Sequence, residues 1–277
     1  MAIMLFFNIY PFIETVRLTF FQWVLTKPDY KELIGFANYV ALFKDPYFWE
    51  STRVTLLYVI TTVAIEIILG FWLASILNQD IPGRNFFTSI FLIPMTMSPV
   101  VVGLFWRAWL APDFGLIGYF LNSIGLGKFV PAEGFIGRTA TALPVMVLVD
   151  IWQWTSFVVL IVLAGLRSLP TEPFEAAEVD GSNGWQKLRY ITIPLLRPVL
   201  MVVLLFRTMD SFRIFDVIWI MSKGGPGRAT ETLSIWVYKT GFYYWNIGYS
   251  TTITFIILVI VIIVANVMIR TTFKELA

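Results

Sequence analysis

The chain contains neither cysteine nor histidine. Without cysteine there is no disulfide framework, no thiolate nucleophile and no sulfur ligand for zinc. Without histidine there is no imidazole base, no Ser-His-Asp triad and no imidazole metal ligand. Charge is scarce as well. Asp, Glu, Lys and Arg make up 14% of the 277 residues, against about 25% in an average soluble domain. A net charge of +2 offers no basic footprint for nucleic acid. No GxxxxGK[ST] loop occurs, which excludes nucleotide binding of the Walker type by this chain.

What the sequence has is apolar residues, 58% of the total, at a mean hydropathy of +0.77. Six apolar runs, at 3–23, 54–77, 86–110, 141–166, 196–220 and 251–269, approach or exceed the roughly 20 residues that a helix needs to cross hydrocarbon. Lipid satisfies no backbone polar group, so sustained runs imply helices. A barrel would show alternating strands of about 10 residues, and 60–77 and 253–269 do not alternate. The first run reads as a spanning helix rather than a leader. No basic residue precedes it, no small-residue cleavage site follows, and Glu14 and Arg17 interrupt it one turn apart, where they can pair. The expected fold is a single all-α membrane domain over 1–277.

The connections carry their own signals. Residues 26–53 are polar but rich in Tyr30, Phe36, Tyr39, Phe43, Tyr47, Phe48 and Trp49, which suits a membrane–water boundary. Pro82-Gly83 marks a turn, and Pro94 and Pro99 predict kinks in the third run. The Gly-rich segment 111–138 suggests a short interfacial helix near 116–124, and Lys223-Gly224-Gly225-Pro226-Gly227 stops the fifth run. Lys and Arg placement does not orient the chain. With 167–195 inside, the inner side holds seven basic residues, Arg84, Arg167, Lys187, Arg189, Arg197, Arg270 and Lys274, and the longer outer loops hold nine.

Ionisable groups at membrane depth are costly and face a bundle interior or a wet cavity. They are Glu66, Asp150, Arg207, Asp210, Arg213 and Asp216. Glu66 is expected to pair with an arginine inside the bundle. Asp150, Gln153 and Trp154 share a helix face, and an amide, a carboxylate and an indole suit a hydroxyl-rich ligand. Arg207, Asp210, Ser211 and Ile214 share another face, while Arg213 and Asp216 turn toward a different helix or a partner subunit. The alternative is a self-neutralised ladder that only locks helix packing, with the Trp residues as packing or boundary aromatics.

Between the fourth and fifth runs lies a polar island, Glu175-Ala176-Ala177-x3-Gly181-x9-Ile191-x-Ile193-Pro194. This pattern resembles the EAA loop of the integral membrane subunits of bacterial and archaeal ABC importers. Leu169-Pro170 before it, Pro194-Leu195-Leu196 after it, Tyr10-Pro11 and Gly224-Gly225-Pro226 resemble the carbohydrate-importing branch, relatives of the maltose permease subunits. The likeness covers nearly the whole chain.

The resemblance implies six core spans, both termini cytoplasmic in the inner membrane, and a cytoplasmic loop 167–195. Within that loop it implies a coupling helix near 173–181, carried by Glu175, Ala176, Ala177, Asp180 and Gly181, that docks on an ATPase. It implies a second homologous permease, an ATPase dimer that holds the ATP and Mg, an extracytoplasmic sugar-binding protein, and no cofactor, metal or catalytic residue on this chain. Sugar-contacting positions of the maltose permease align with Asp150, Gln153, Trp154, Arg207, Ser211 and Ile214, to which the sequence adds Asp210. The side chains differ there: charges stand at 150 and 207, and Trp154 is bulkier. Lys187 and Arg189 are left for acidic groups or lipid headgroups. Competing readings are an importer of a polyol, glycerol phosphate or amino acid, since Arg207 suits an anion; a membrane enzyme acting on lipid-linked sugar; and a bare channel subunit.

Overall fold

The apolar runs fold as helices, and the breaks within them are what shape the molecule. The computed structural model describes residues 2–27 and 31–273; Tyr30 and Lys274 lie outside them. Helix α1 (Ala2–Leu18) leads into a two-stranded hairpin, β1 (Phe21–Trp23) and β2 (Lys31–Leu33). The strands run antiparallel, with Phe21 opposite Leu33 and Trp23 opposite Lys31. This hairpin takes the last part of the first expected span, so the chain is not purely helical. Short α2 (Ala37–Lys44) precedes α3 (Pro46–Leu77), then α4 (Arg84–Thr96), α5 (Pro99–Trp109), α6 (Leu116–Ser123) and α7 (Gly134–Gly137). Next come α8 (Thr139–Arg167), α9 (Glu172–Val179), α10 (Gly184–Lys187) and α11 (Ile193–Ser211). The chain closes with α12 (Asp216–Ser222), α13 (Leu233–Tyr238) and α14 (Ile247–Phe273).

Among the described residues, four helical stretches are long and apolar enough to cross a membrane: α3, α8, Gly184–Ser211 and Ile247–Arg270. A fifth is available if α4 and α5 count as one broken span. Helix α1, with 17 residues, is shorter than these.

The third run bends by 98° between α4 and α5. The cause is local. Pro99 disfavours the helical conformation at Ser98, and Ser98 and Met97 are both extended, with ψ of 138°. The fifth run differs more from expectation. Its helix begins well before 196, passes through a π-helical turn at Leu188–Thr192, and ends at Ser211. No Pro or Gly stops it. The amides of Arg213 and Ile214 reach back three residues, to Asp210 and Ser211, instead of four, and this tightening closes the helix. Arg213 therefore lies in the break, and Asp216 opens α12, where a carboxylate favours the helix N-terminus. Both are exposed, and Arg213 pairs with Asp210 at the end of α11 at 3.4 Å.

In lipid, helices associate by close packing and polar contacts rather than by a hydrophobic drive. The α3–α8 contact shows this. At Gly70 a Cβ would meet the Cβ of Val158 at 2.6 Å and come closer still to its Cγ1, so the absent side chain is what lets the helices approach. Two apolar cores result. One joins Ala74, Leu77, Val158, Val162, Leu166, Leu196 and Val203 next to the polar island. The other joins Tyr58, Val63, Val102, Met146, Val149, Phe212, Ile218 and Ile235 farther along the bundle. Glu66, Asp150 and Arg207 fall between these two cores on α3, α8 and α11.

Beyond the second core, Arg228 ties the loop after α12 to the start of α3. Its guanidinium pairs with Glu50 at 3.0 Å and Glu231 at 2.6 Å, and lies 4.3 Å from the Tyr47 ring and 4.7 Å from that of Trp236. Lys239 also pairs with Glu231.

Candidate functional site

Arg207 reaches from α11 into the seam between the cores and is 2% exposed. Its Nε and Nη2 donate to the two carboxylate oxygens of Glu66 at 2.7 and 2.9 Å. Nη2 also donates to Asp150 at 2.9 Å, and Nη1 to Asp210 at 3.0 Å. The fork geometry of guanidinium suits this multiple pairing, which a lysine could not reproduce. Glu66 and Asp150 are as buried as the arginine. Three helices are thus tied by one cation at a depth where an unpaired charge is strongly disfavoured.

Toward the outside of this cluster lies a cleft of about 410 Å³, bordered by Trp154, Phe157, Phe206, Arg207, Met209, Asp210, Arg213, Leu258 and Val261. The Arg207 guanidinium lies 4.9 Å from the Trp154 ring centre, a cation–π contact that fixes the indole at the edge of the cleft. Asp210 spans the gap between two arginines, with its other oxygen 3.4 Å from Arg213.

The six residues expected on a solute pathway therefore divide. Trp154, Arg207 and Asp210 border the cleft. Asp150, Gln153 and Ser211 do not. Asp150 is turned away by its bond to Arg207. Gln153 donates its amide N–H to the carbonyl of Met97 at 3.2 Å, capping the open backbone at the α4–α5 bend. Helical period placed Gln153 beside Trp154, but nothing in the local sequence announces an acceptor 56 residues away. Ser211 is buried, and its Oγ has no hydrogen-bond partner among the described residues.

The polar island forms a second feature. Helix α9 carries Glu172 and Glu175 in its first turn, where acidic groups suit the helix dipole. It ends in a Schellman turn. The amide of Ser182 bonds the carbonyl of Ala177 at 2.9 Å, the amide of Gly181 bonds that of Glu178 at 3.1 Å, and Gly181 adopts φ +73°. Asn183 and Gln186 then cap α10 reciprocally, at 2.9 and 2.8 Å. Lys187 joins the two short helices through Glu178 at 2.7 Å. This hydrogen bond holds the Glu178 carboxyl below its ordinary range. Lys187, expected to meet an acidic group or a lipid headgroup, meets the acidic Glu178 within the chain. Ala177 is buried, whereas Glu175, Ala176, Asp180 and Gly181 are exposed. Apolar side chains stand out beside them: Val179 is 89% exposed, Tyr190 70% and Trp185 67%. The result is a rigid, capped knob between two long helices.

Comparison with known proteins gives the chain's relatives. Residues 66–271 match the family described as binding-protein-dependent transport system inner membrane component. The probable ABC transporter permease protein y4oQ of Sinorhizobium fredii is 37% identical over 274 residues, 99% of this chain and 87% of that protein. The trehalose/maltose transport system permease protein MalF of Thermococcus litoralis is 34% identical over 248 residues, 90% of this chain and 81% of that protein. Among solved structures, a chain of a bacterial ABC transporter involved in the import of the acidic polysaccharide alginate superposes with a TM-score of 0.84. It is 21% identical, and the match covers 99% of this chain and 92% of that chain.

Proposed function

Because the chain belongs to the family of binding-protein-dependent transport system inner membrane components, we propose that it is one of two homologous permease subunits of an ATP-driven sugar importer. A separate ATPase dimer binds ATP and Mg, and an extracytoplasmic binding protein delivers the sugar. Residues 167–195 and both termini face the cytoplasm.

The observation that carries this reading is the capped knob of α9. A short helix with exposed Glu175, Ala176, Asp180 and Gly181, held at its C-terminal end by the Schellman turn and by Lys187, and linked to α8 by a short segment and to α11 through α10, is built to receive a push from outside the bundle. Closure of the ATPase dimer would move the knob, and the long helices would carry that motion to the seam and cleft. Access would then alternate by rocking of helical bodies, as in other transporters whose sites lie at mid-membrane. The sugar assignment draws support from the trehalose/maltose relative and from the cleft itself, which sets Trp154, Phe157 and Phe206 beside the carboxylate of Asp210. Aromatic faces stack on sugar C–H groups while the carboxylate accepts hydroxyls.

Gly181→Val tests the coupling role. Its φ of +73° suits glycine and strains a β-branched residue, although the space around it is open. In the reconstituted complex the variant should assemble and hydrolyse ATP while sugar uptake falls about ten-fold or more, a loss of about 1.4 kcal/mol in coupling. Uptake at the wild-type rate would remove α9 from the coupling path.

A further inference from the structure

We propose that Asp210 sets the charge selectivity of the cleft, holding both bordering arginines so that uncharged, hydroxyl-rich solutes are admitted and anions find no anchor. This rests on the importer reading above. One carboxylate serves two guanidinium groups: Oδ2 accepts from Arg207 at 3.0 Å and Oδ1 from Arg213 at 3.4 Å. The rest of Arg207 is directed into the seam, to Glu66 and Asp150. Two guanidinium groups thus meet three carboxylates, and the cluster carries one surplus negative charge. Protonation of one carboxylate brings the sum to zero, not to a positive value. Arg213, whose side chain is 74% exposed, has the room to receive an anion, but Asp210 already stands against it.

Apolar walls magnify this balance. Trp154, Phe157, Phe206 and Leu258 lower the local dielectric, where charges interact several-fold more strongly than in water. A solute carboxylate or phosphate therefore gains nothing from Arg207 and meets Asp210 as a like charge. A hydroxyl donates to Asp210 instead. Its two oxygens offer about four lone-pair sites, and the two arginines take one on each oxygen.

The test uses the assembled complex in lipid nanodiscs without the binding protein, so that selectivity of the permease alone is read. Saturation-transfer NMR compares trehalose and maltose with the same sugars oxidised at one C6 to a uronate. The wild type should bind each uronate about ten-fold more weakly than its parent. Asp210→Asn frees Arg213 and the Nη1 of Arg207 and should shrink the gap to about two-fold, while Arg213→Gln should widen it. Asp210 is partly exposed, and should Asp210→Asn fail to assemble, the wild type and Arg213→Gln still decide the matter. Uronates that bind the wild type as tightly as the parents, or a gap unmoved in both variants, overturn the charge selectivity and leave the importer reading intact. Binding of none of the four sugars defeats the sugar assignment, and this inference with it.

Discussion

Arg207 donates to carboxylates on two other helices and to one on its own while 2% exposed. Arg207→Met removes the cation and strands Glu66 and Asp150 as buried carboxylates. Breaking a buried pair in this way typically costs about 3–5 kcal/mol, so the unfolding midpoint of the purified protein in detergent should drop markedly. An unchanged midpoint would show that the cluster contributes no stability. Part of this cluster was legible in the sequence. A lone Glu66 in an apolar run demands an arginine, because lipid leaves it no other partner. Which arginine was not legible. Helical period gives the angle of Arg207 on α11 but says nothing of which helix faces that angle, so Arg207 and Asp150 read equally well as ligand-facing groups. Gln153 was hidden for the same reason, since its partner carbonyl is created by a bend in another helix.

At the scale of elements, the punctuation residues were the reliable guides. Pro99 announced the bend, whereas Pro94 lies inside α4, which runs on to Thr96; Gly181 announced the end of α9. The size of the bend depends on what α4 and α5 pack against: α4 lies along α8 and α5 along α12. The end of α11 at Ser211 carries no such residue and could not be read, because tertiary packing of Phe212 and Ile218 into the second core decides it. Close approach of elements is equally a tertiary matter. Gly70→Val pushes a branched side chain against Val158 on α8. Overpacking of this kind typically costs about 1–3 kcal/mol. The variant should unfold at lower temperature than wild type, and pairing it with Val158→Ala should recover part of the loss. Equal midpoints for Gly70→Val and wild type would mean that α3 and α8 can separate without penalty.

Over the whole molecule, hydropathy located the bundle, and the Glu175–Pro194 pattern marked the capped α9 segment for which the coupling role is proposed. Orientation could not be read, because seven basic residues on one side and nine on the other nearly balance. The absence of cysteine makes the question accessible. A single cysteine at Ser182 should react with an impermeant maleimide only after the cytoplasmic face is opened, whereas one at Phe114 should react in intact cells. The reverse pattern would invert the whole assignment.

The elbow at Met97–Ser98 has a mechanical consequence. Helices α3 and α8 run for 32 and 29 residues, about 48 and 44 Å, with the weak point of α8 at Pro144, near the end away from α9; over the rest of their length they serve as long levers. A tilt imposed at their ends near α9 reappears at the opposite ends with its sense reversed. The limb α5, seated on α12 beyond the elbow, is off that lever and is packed instead on the segment that follows α11. A passage walled by both kinds of limb deforms by shear, one wall sliding past the other, and does not dilate evenly like an iris.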